Sequence, residues 1–154
     1  MLLRLIAAGT KLPKWIDAGV EEYASRLQGS DYKFDVTEIP LGQRGGDVER
    51  AIAHEGERML AALGKSYVVA LQVKGKSLSS QQLAEFLEAR SRDGRDVAFC
   101  IGGPDGLAAA VDQRADYRWS LSALTLPHGL ARVMVAESLY RAVSIIKGLP
   151  YHRA

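Results

Sequence analysis

The sequence predicts an α/β domain built on a mostly parallel sheet of about five strands flanked by helices. Two observations carry this. Apolar stretches of strand length alternate along the chain with stretches in which apolar residues recur at helical spacing. Two of the strand-like stretches, SYVVALQV (66–73) and RDVAFCI (95–101), are apolar almost throughout, as strands covered on both faces must be.

The elements follow in order. LLRLIAA (2–8) reads as a strand, GTKLP turns the chain, and Trp15, Ile16, Val20, Tyr23 and Leu27 recur as one face of a helix. KFDVTEIP (33–40) is a second strand, with Phe34 and Val36 on one face and Pro40 closing it. After LGQRGGD, residues Val48, Ile52, Glu55, Met59 and Leu63 mark a helix that Gly64 ends. The strand 66–73 and KGKSLSS precede a helix carrying Leu83, Phe86, Leu87 and Arg90, with Ser79 or Ser80 at its N-cap. The strand 95–101 runs into IGGPDG, a short helix spans about 107–115, and YRWSLSALTLP (117–127) is a strand breaking into a loop. A long helix from Gly129 to Lys147 is apolar nearly all round, the pattern of a helix buried on more than one side or at a dimer contact.

At 154 residues, with 47% hydrophobic and 25% charged residues, the chain is expected to form a single domain over 1–154 with a real core. The one cysteine, Cys100, allows no internal disulfide, suits a reducing compartment, and reads as a core residue rather than a nucleophile. The first eight residues are too short, and interrupted by Arg4, for a signal peptide or a span, so the expected location is cytoplasmic. The net charge of +2 excludes a general polyanion magnet, although four of the five charged residues from His128 onward are basic: Arg132, Arg141, Lys147 and Arg153 against Glu137.

In a parallel sheet, ligands sit beyond the carboxyl ends of the strands. IGGPDG lies at such an end but has neither dinucleotide nor phosphate-loop spacing; Pro104 removes a backbone donor and Asp105 repels phosphate. The paired glycines, Gly102 and Gly103, instead suit the close approach of something flat. SLSALTLPHG (120–129) offers backbone groups rather than charged side chains, fitting either a neutral or cationic ligand or a plain buried connection. His54 reads as a surface residue, His128 as a cap or a ligand contact, and Tyr151, His152 and Arg153 lie in a tail. No metal-ligand set can be assembled from these residues.

Taken together, AAGTKLPKWI, EIPLGQRGG, EGERML, DGRDVAFCIGGPDG, WSLSALTLPHGLARVMVAESLYRA and PYHR are specific enough to carry a resemblance, and it runs end to end. The chain resembles the bacterial 23S rRNA pseudouridine N3-methyltransferases of the RlmH type, in the SPOUT superfamily. The resemblance implies a deep trefoil knot at the carboxyl end, a homodimer, and S-adenosylmethionine bound in the knot. It places the cofactor against Leu71, Gln72, Gly103 and the loop Ser122, Ala123, Leu124, Thr125, Leu126 and Pro127, and Gly102 joins them on the reading given above. The implied substrate is a pseudouridine in helix 69 of the 23S rRNA in the assembled ribosome. For that reaction His128 or His152 is the expected base, Arg153 and Arg141 hold phosphate or the target base, and Tyr151 stacks on RNA. A non-enzymatic ribosome-binding or assembly factor, or a SPOUT enzyme acting on another RNA, stands as the alternative.

Overall fold

The computed structural model describes residues 1–42 and 45–152. Five strands, β1 (Leu2–Ala8), β2 (Lys33–Ile39), β3 (Tyr67–Ser77), β4 (Val97–Ile101) and β5 (Tyr117–Ser120), form one sheet in the order β2-β1-β4-β3-β5. Every pairing is parallel, so all five carboxyl ends lie along one edge. The helices are α1 (Lys14–Arg26), α2 (Val48–Leu63), α3 (Ser80–Arg92), α4 (Ala109–Arg114) and α5 (His128–Lys147), and a 3₁₀ turn (Pro150–His152) follows them.

The apolar runs are explained by two cores, one on each face of the sheet. Leu3, Leu5 and Ala7 of β1 and Val97, Phe99 and Ile101 of β4 face α3 and α5, where Leu83, Leu87, Val135 and Leu139 meet them. The alternate residues, Ile6, Ala8, Ala98 and Cys100, face α2 and α4 through Met59, Leu63 and Val111. A strand covered on both sides has no polar face to show, which is why periodicity of two is absent from β4. The half-exposed pattern of β2, by contrast, fits its place at the edge.

Helix α5 lies on the sheet between α1 and α3. No residue from His128 to Ile146 is classed as exposed, which accounts for its apolar circumference within a single chain. It starts at His128, one residue earlier than expected, and at Gly129 a Cβ would run into Ile16 of α1. The N-cap of α3 is Ser79, in a capping box with Gln82.

Strand β3 extends four residues beyond the expected Val73. Leu71 and Lys76 both pair with Trp119, so Gln72–Gly75 bulge out of the ladder and pairing resumes at Lys76. A Cβ on Gly75 would sit 2.8 Å from the backbone of Arg118 and Trp119, so the resumed pairing needs glycine there. The polar KGKS end resembles a turn in sequence because its backbone, not its side chains, does the pairing. Among the described residues no helix is long and apolar enough to cross a membrane.

Because Leu139 is fully buried where α5 meets the sheet, Leu139→Ala should cost about 2–5 kcal/mol of stability. Urea denaturation followed by circular dichroism measures this, and a loss below 1 kcal/mol, on the order of a surface change, would show that α5 does not anchor this core.

Candidate active site

A cavity of about 690 Å3 opens at the carboxyl edge of the sheet. Its wall comes from the end of β3 (Leu71, Gln72, Val73), the exit of β4 (Ile101–Pro104, Gly106, Leu107), the exit of β5 (Trp119, Leu121, Ser122, Leu124–Pro127) and the start of α5 (His128, Ala131). The expected cofactor residues Leu71, Gln72, Gly102, Gly103, Ser122, Leu124, Thr125, Leu126 and Pro127 are therefore brought together, along with His128, while Ala123 is exposed and outside the wall. Among the described residues that line it there is no Asp, Glu, Lys or Arg. A second hollow of about 700 Å3 lies along α2 and is of another kind, its wall carrying Asp47, Arg50, His54 and Arg58.

The loops are shaped by their own chemistry. The β4 exit closes as a tight turn in which Gly106, at φ +96°, donates its N–H to the Gly103 carbonyl at 3.0 Å. A Cβ on Gly102 would collide with the backbone of Gly106 and Leu107, and one on Gly103 would lie 2.8 Å from Leu41 Cδ2. Turn closure thus demands glycine at 102, where the obstacle is backbone, whereas at 103 a Cβ would meet only the movable tip of Leu41. In the β5 exit, Ser120 Oγ donates to the Ser122 carbonyl and Leu124 N–H donates to Ser122 Oγ, both at 3.0 Å. These hydroxyls brace the loop and leave its shape preset. Gln72 is held from behind, its Nε2 donating to Asp112 Oδ1 at 3.2 Å, and Arg118 Nε donates to the same oxygen at 3.0 Å.

His128 stands half-buried at the rim as the first residue of α5, whose N-cap is Pro127. Burial first, and then the charge of Arg132, push its pKa below the ordinary imidazole value. Arg132 is 2% exposed and is held below the rim through two of its three nitrogens: Nη1 donates to Glu38 Oε2 at 2.6 Å, and Nη2 to the carbonyls of Ala8 (3.2 Å) and Gly9 (2.8 Å), while the buried Nε has no partner among the described residues. Cys100 is buried with its thiol pushed up to about 12, chiefly by desolvation, so it is a core residue and no nucleophile.

The tail residues gather elsewhere. Tyr151 OH donates to Glu137 Oε2 at 2.8 Å, and Arg141 Nε donates to the same oxygen at 3.1 Å. The Arg26 guanidinium lies 5.4–5.7 Å from the ring centroids of Tyr23, Tyr140 and Tyr151. Burial and the bond to Glu137 push the Tyr151 phenol well above its ordinary value, so it remains a donor. Tyr151 is therefore packed rather than frayed, whereas His152 is exposed. Arg141 lies 13 residues beyond His128, about 20 Å along the helix. Within one chain the cavity and the tail do not converge. Arg153 lies outside the described residues.

Glu38 and Gly9 were not singled out from the sequence, Arg132 was named there only as part of the basic C-terminal stretch, and the wall residues Val73 and Ala131 were missed. A readable signal existed for one of them: an arginine in an otherwise apolar stretch of helix must find partners or stay at the surface.

Residues 1–152 match the family model described as "Predicted SPOUT methyltransferase". Solved structures with the same fold include a probable methyltransferase from Bordetella pertussis Tohama I, at 17% identity and TM-score 0.57, covering 92% of this chain and 95% of that one. Another is a probable methylase family protein from Haemophilus influenzae, at 13% identity and TM-score 0.56, covering 99% and 70%. A protein from Legionella pneumophila, at 13% identity and TM-score 0.50 over 92% and 66%, was solved with the cofactor SAM bound.

His128 should titrate below the free-imidazole value of about 6.5, as followed by NMR of the ring protons. Since its folded pKa lies below its unfolded one, its contribution to stability is present above that value and is lost as pH falls through it. A midpoint at or above the free value would contradict the burial described.

Proposed function

The chain belongs to the SPOUT methyltransferase family, and from that premise we propose that it methylates N3 of a pseudouridine in helix 69 of the 23S rRNA, on the assembled ribosome, with S-adenosylmethionine as donor. The single observation that carries the reading is the preset cavity at the strand ends, whose wall among the described residues holds no charged side chain. Its volume is that of a pocket for a molecule of cofactor size, and its polar partners are loop backbone, Gln72, Ser122 and Thr125. The wall offers no arginine or lysine for a phosphate, which fits a donor that has none.

When bound, S-adenosylmethionine supplies a methyl group whose transfer turns a sulfonium into a neutral thioether. The apolar residues Leu71, Ile101, Leu107, Trp119 and Leu126 exclude water from that step and favour the disappearance of charge. The three braced loops hold the reacting groups in line, which accounts for much of the rate. The imide N3 must lose its proton before it attacks, and a neutral His128 at the rim can accept that proton on a ring nitrogen.

The remaining assignments follow from the same reading. The chain acts as a homodimer, and the tail of one subunit serves the cavity of the other: His152 as a further base, Arg141 and Arg153 holding RNA, and Tyr151 stacking on a base. The separation of about 20 Å along α5 supports this division, and so do the exposed apolar side chains of Trp15 (61%) and Leu124 (73%), which suit a covered face or an RNA contact. The reading includes one domain over 1–154, a deep trefoil knot at the carboxyl end and a cytoplasmic location.

Calorimetry should detect S-adenosylmethionine binding, and labelled methyl should enter ribosomes in preference to free 23S rRNA or subunits. Tyr151→Ala and His152→Ala should each lower methylation by about 100-fold with donor affinity intact. Absence of both binding and incorporation would leave the assembly-factor reading standing instead, and full activity in both variants would remove the role of the tail.

A further inference from the structure

We propose that Arg132 is a positioning residue for the transfer site, its buried guanidinium joining the exits of β1 and β2 to the first turn of α5 and so setting where the His128 ring stands on the cavity rim. The inference rests on the methyl-transfer reading and deepens it. Every other buried residue of α5 is apolar, a glycine or a serine. Packing alone calls for nothing charged at that position, and a buried cation is costly unless its partners are in place. Those partners come from two separate segments: the Glu38 carboxylate at the end of β2, and the carbonyls of Ala8 and Gly9 where β1 stops. Two of the guanidinium nitrogens thereby tie two strand exits to one helix, a geometry that the planar fork of arginine suits and the single nitrogen of lysine does not.

The tie reaches His128 directly. His128 and Arg132 are one turn apart, on the same side of α5. A Cβ on Gly9 would lie 3.3 Å from Arg132 Nη2 and 3.9 Å from His128 Nε2. Ring and guanidinium thus converge on a single backbone point, which glycine holds at φ +117°. Arg132 acts on the ring from α5, Glu38 from β2 acts on Arg132, and β1 contributes its carbonyl dipoles. The cation favours the neutral imidazole that a proton acceptor requires, and Glu38 is the ion-pair partner of that cation at 2.6 Å.

This arrangement gives opposite signs for two substitutions, which a purely structural role does not. In the full-length protein, Arg132→Gln should raise the His128 midpoint and Glu38→Gln should lower it, both read by NMR. Arg132→Lys should keep the midpoint near the wild-type value. In ribosome methylation, Arg132→Gln should lower kcat about 10- to 100-fold with KM for S-adenosylmethionine unchanged, and Arg132→Lys should restore part of the loss. The proposal is overturned if Arg132→Lys and Glu38→Gln, shown folded by circular dichroism, keep wild-type kcat while Glu38→Gln leaves the His128 midpoint in place. Should Arg132→Gln fail to fold, those two variants decide. A wild-type protein that neither binds the donor nor methylates ribosomes would refute the proposed function instead, and the two NMR midpoints would still decide whether Arg132 governs His128.

Discussion

A parallel sheet has to be covered on both faces, and most of this structure follows from that requirement. The strands β1 and β4 send alternate residues into two separate cores, one closed by α3 and α5 and the other by α2 and α4. With both faces taken, the edge where the strands end is the place left for a ligand, and all five strands end on the same edge because every pair is parallel. The last helix does double service. Its length covers the sheet, while its first turn stands at the cavity and supplies His128 and Ala131. Core and site therefore share one element, and a disturbance of α5 in the core reaches the rim.

Arg132 shows how such sharing is stabilised. Arg132 is 2% exposed whereas Glu38 is 36% exposed, so what is buried is the guanidinium, and a buried cation left without its partners is costly. Its bonds to Glu38, Ala8 and Gly9 thus make alternative placements of the α5 N-terminus unfavourable. An apolar residue would pack as well at that point, but it would not join the β1 and β2 exits, whose carbonyls and carboxylate need a donor. Glycine at position 9 completes the joint by keeping the space between guanidinium and imidazole free of a side chain.

Much of this was legible in the sequence, and the rest was hidden for identifiable reasons. The unbroken apolar runs of β3 and β4 and the all-round apolar α5 reported burial on both faces, and the loops after β4 and β5 were legible as neighbours at one edge because the carboxyl-end rule needs only strand direction. The bulge at Gln72–Gly75 was not legible, since pairing beyond Lys76 is made by backbone whose side chains look like those of a turn. The glycine at 102 was visible but not the backbone that demands it, because the turn at Gly106 and Leu107 is brought there only by the fold. The partners of Arg132 lie 94, 124 and 123 residues away in sequence, beyond the reach of any local pattern. Tyr151 sat at the end of the chain, where fraying is the usual expectation, and is instead held by Glu137 and Arg26.

The distribution of charge separates two tasks. Among the described residues the cavity wall has no charged side chain, whereas Arg26 and Arg141 stand with the tyrosines near the other end of α5. A low-dielectric pocket strengthens every electrostatic interaction within it, so a phosphate-binding arginine placed there would compete with a cationic ligand. Under the proposed function, the separation of about 20 Å along the helix gives one end of α5 to a reaction in which charge is lost and the other to the RNA. The net charge of +2 fits this arrangement. Attraction to nucleic acid does not have to be a property of the whole surface when it is confined to a patch, and a modest overall charge limits non-specific binding elsewhere. What binds a methyl donor and what binds RNA can then be varied separately, provided that α5 keeps the two ends in fixed relation.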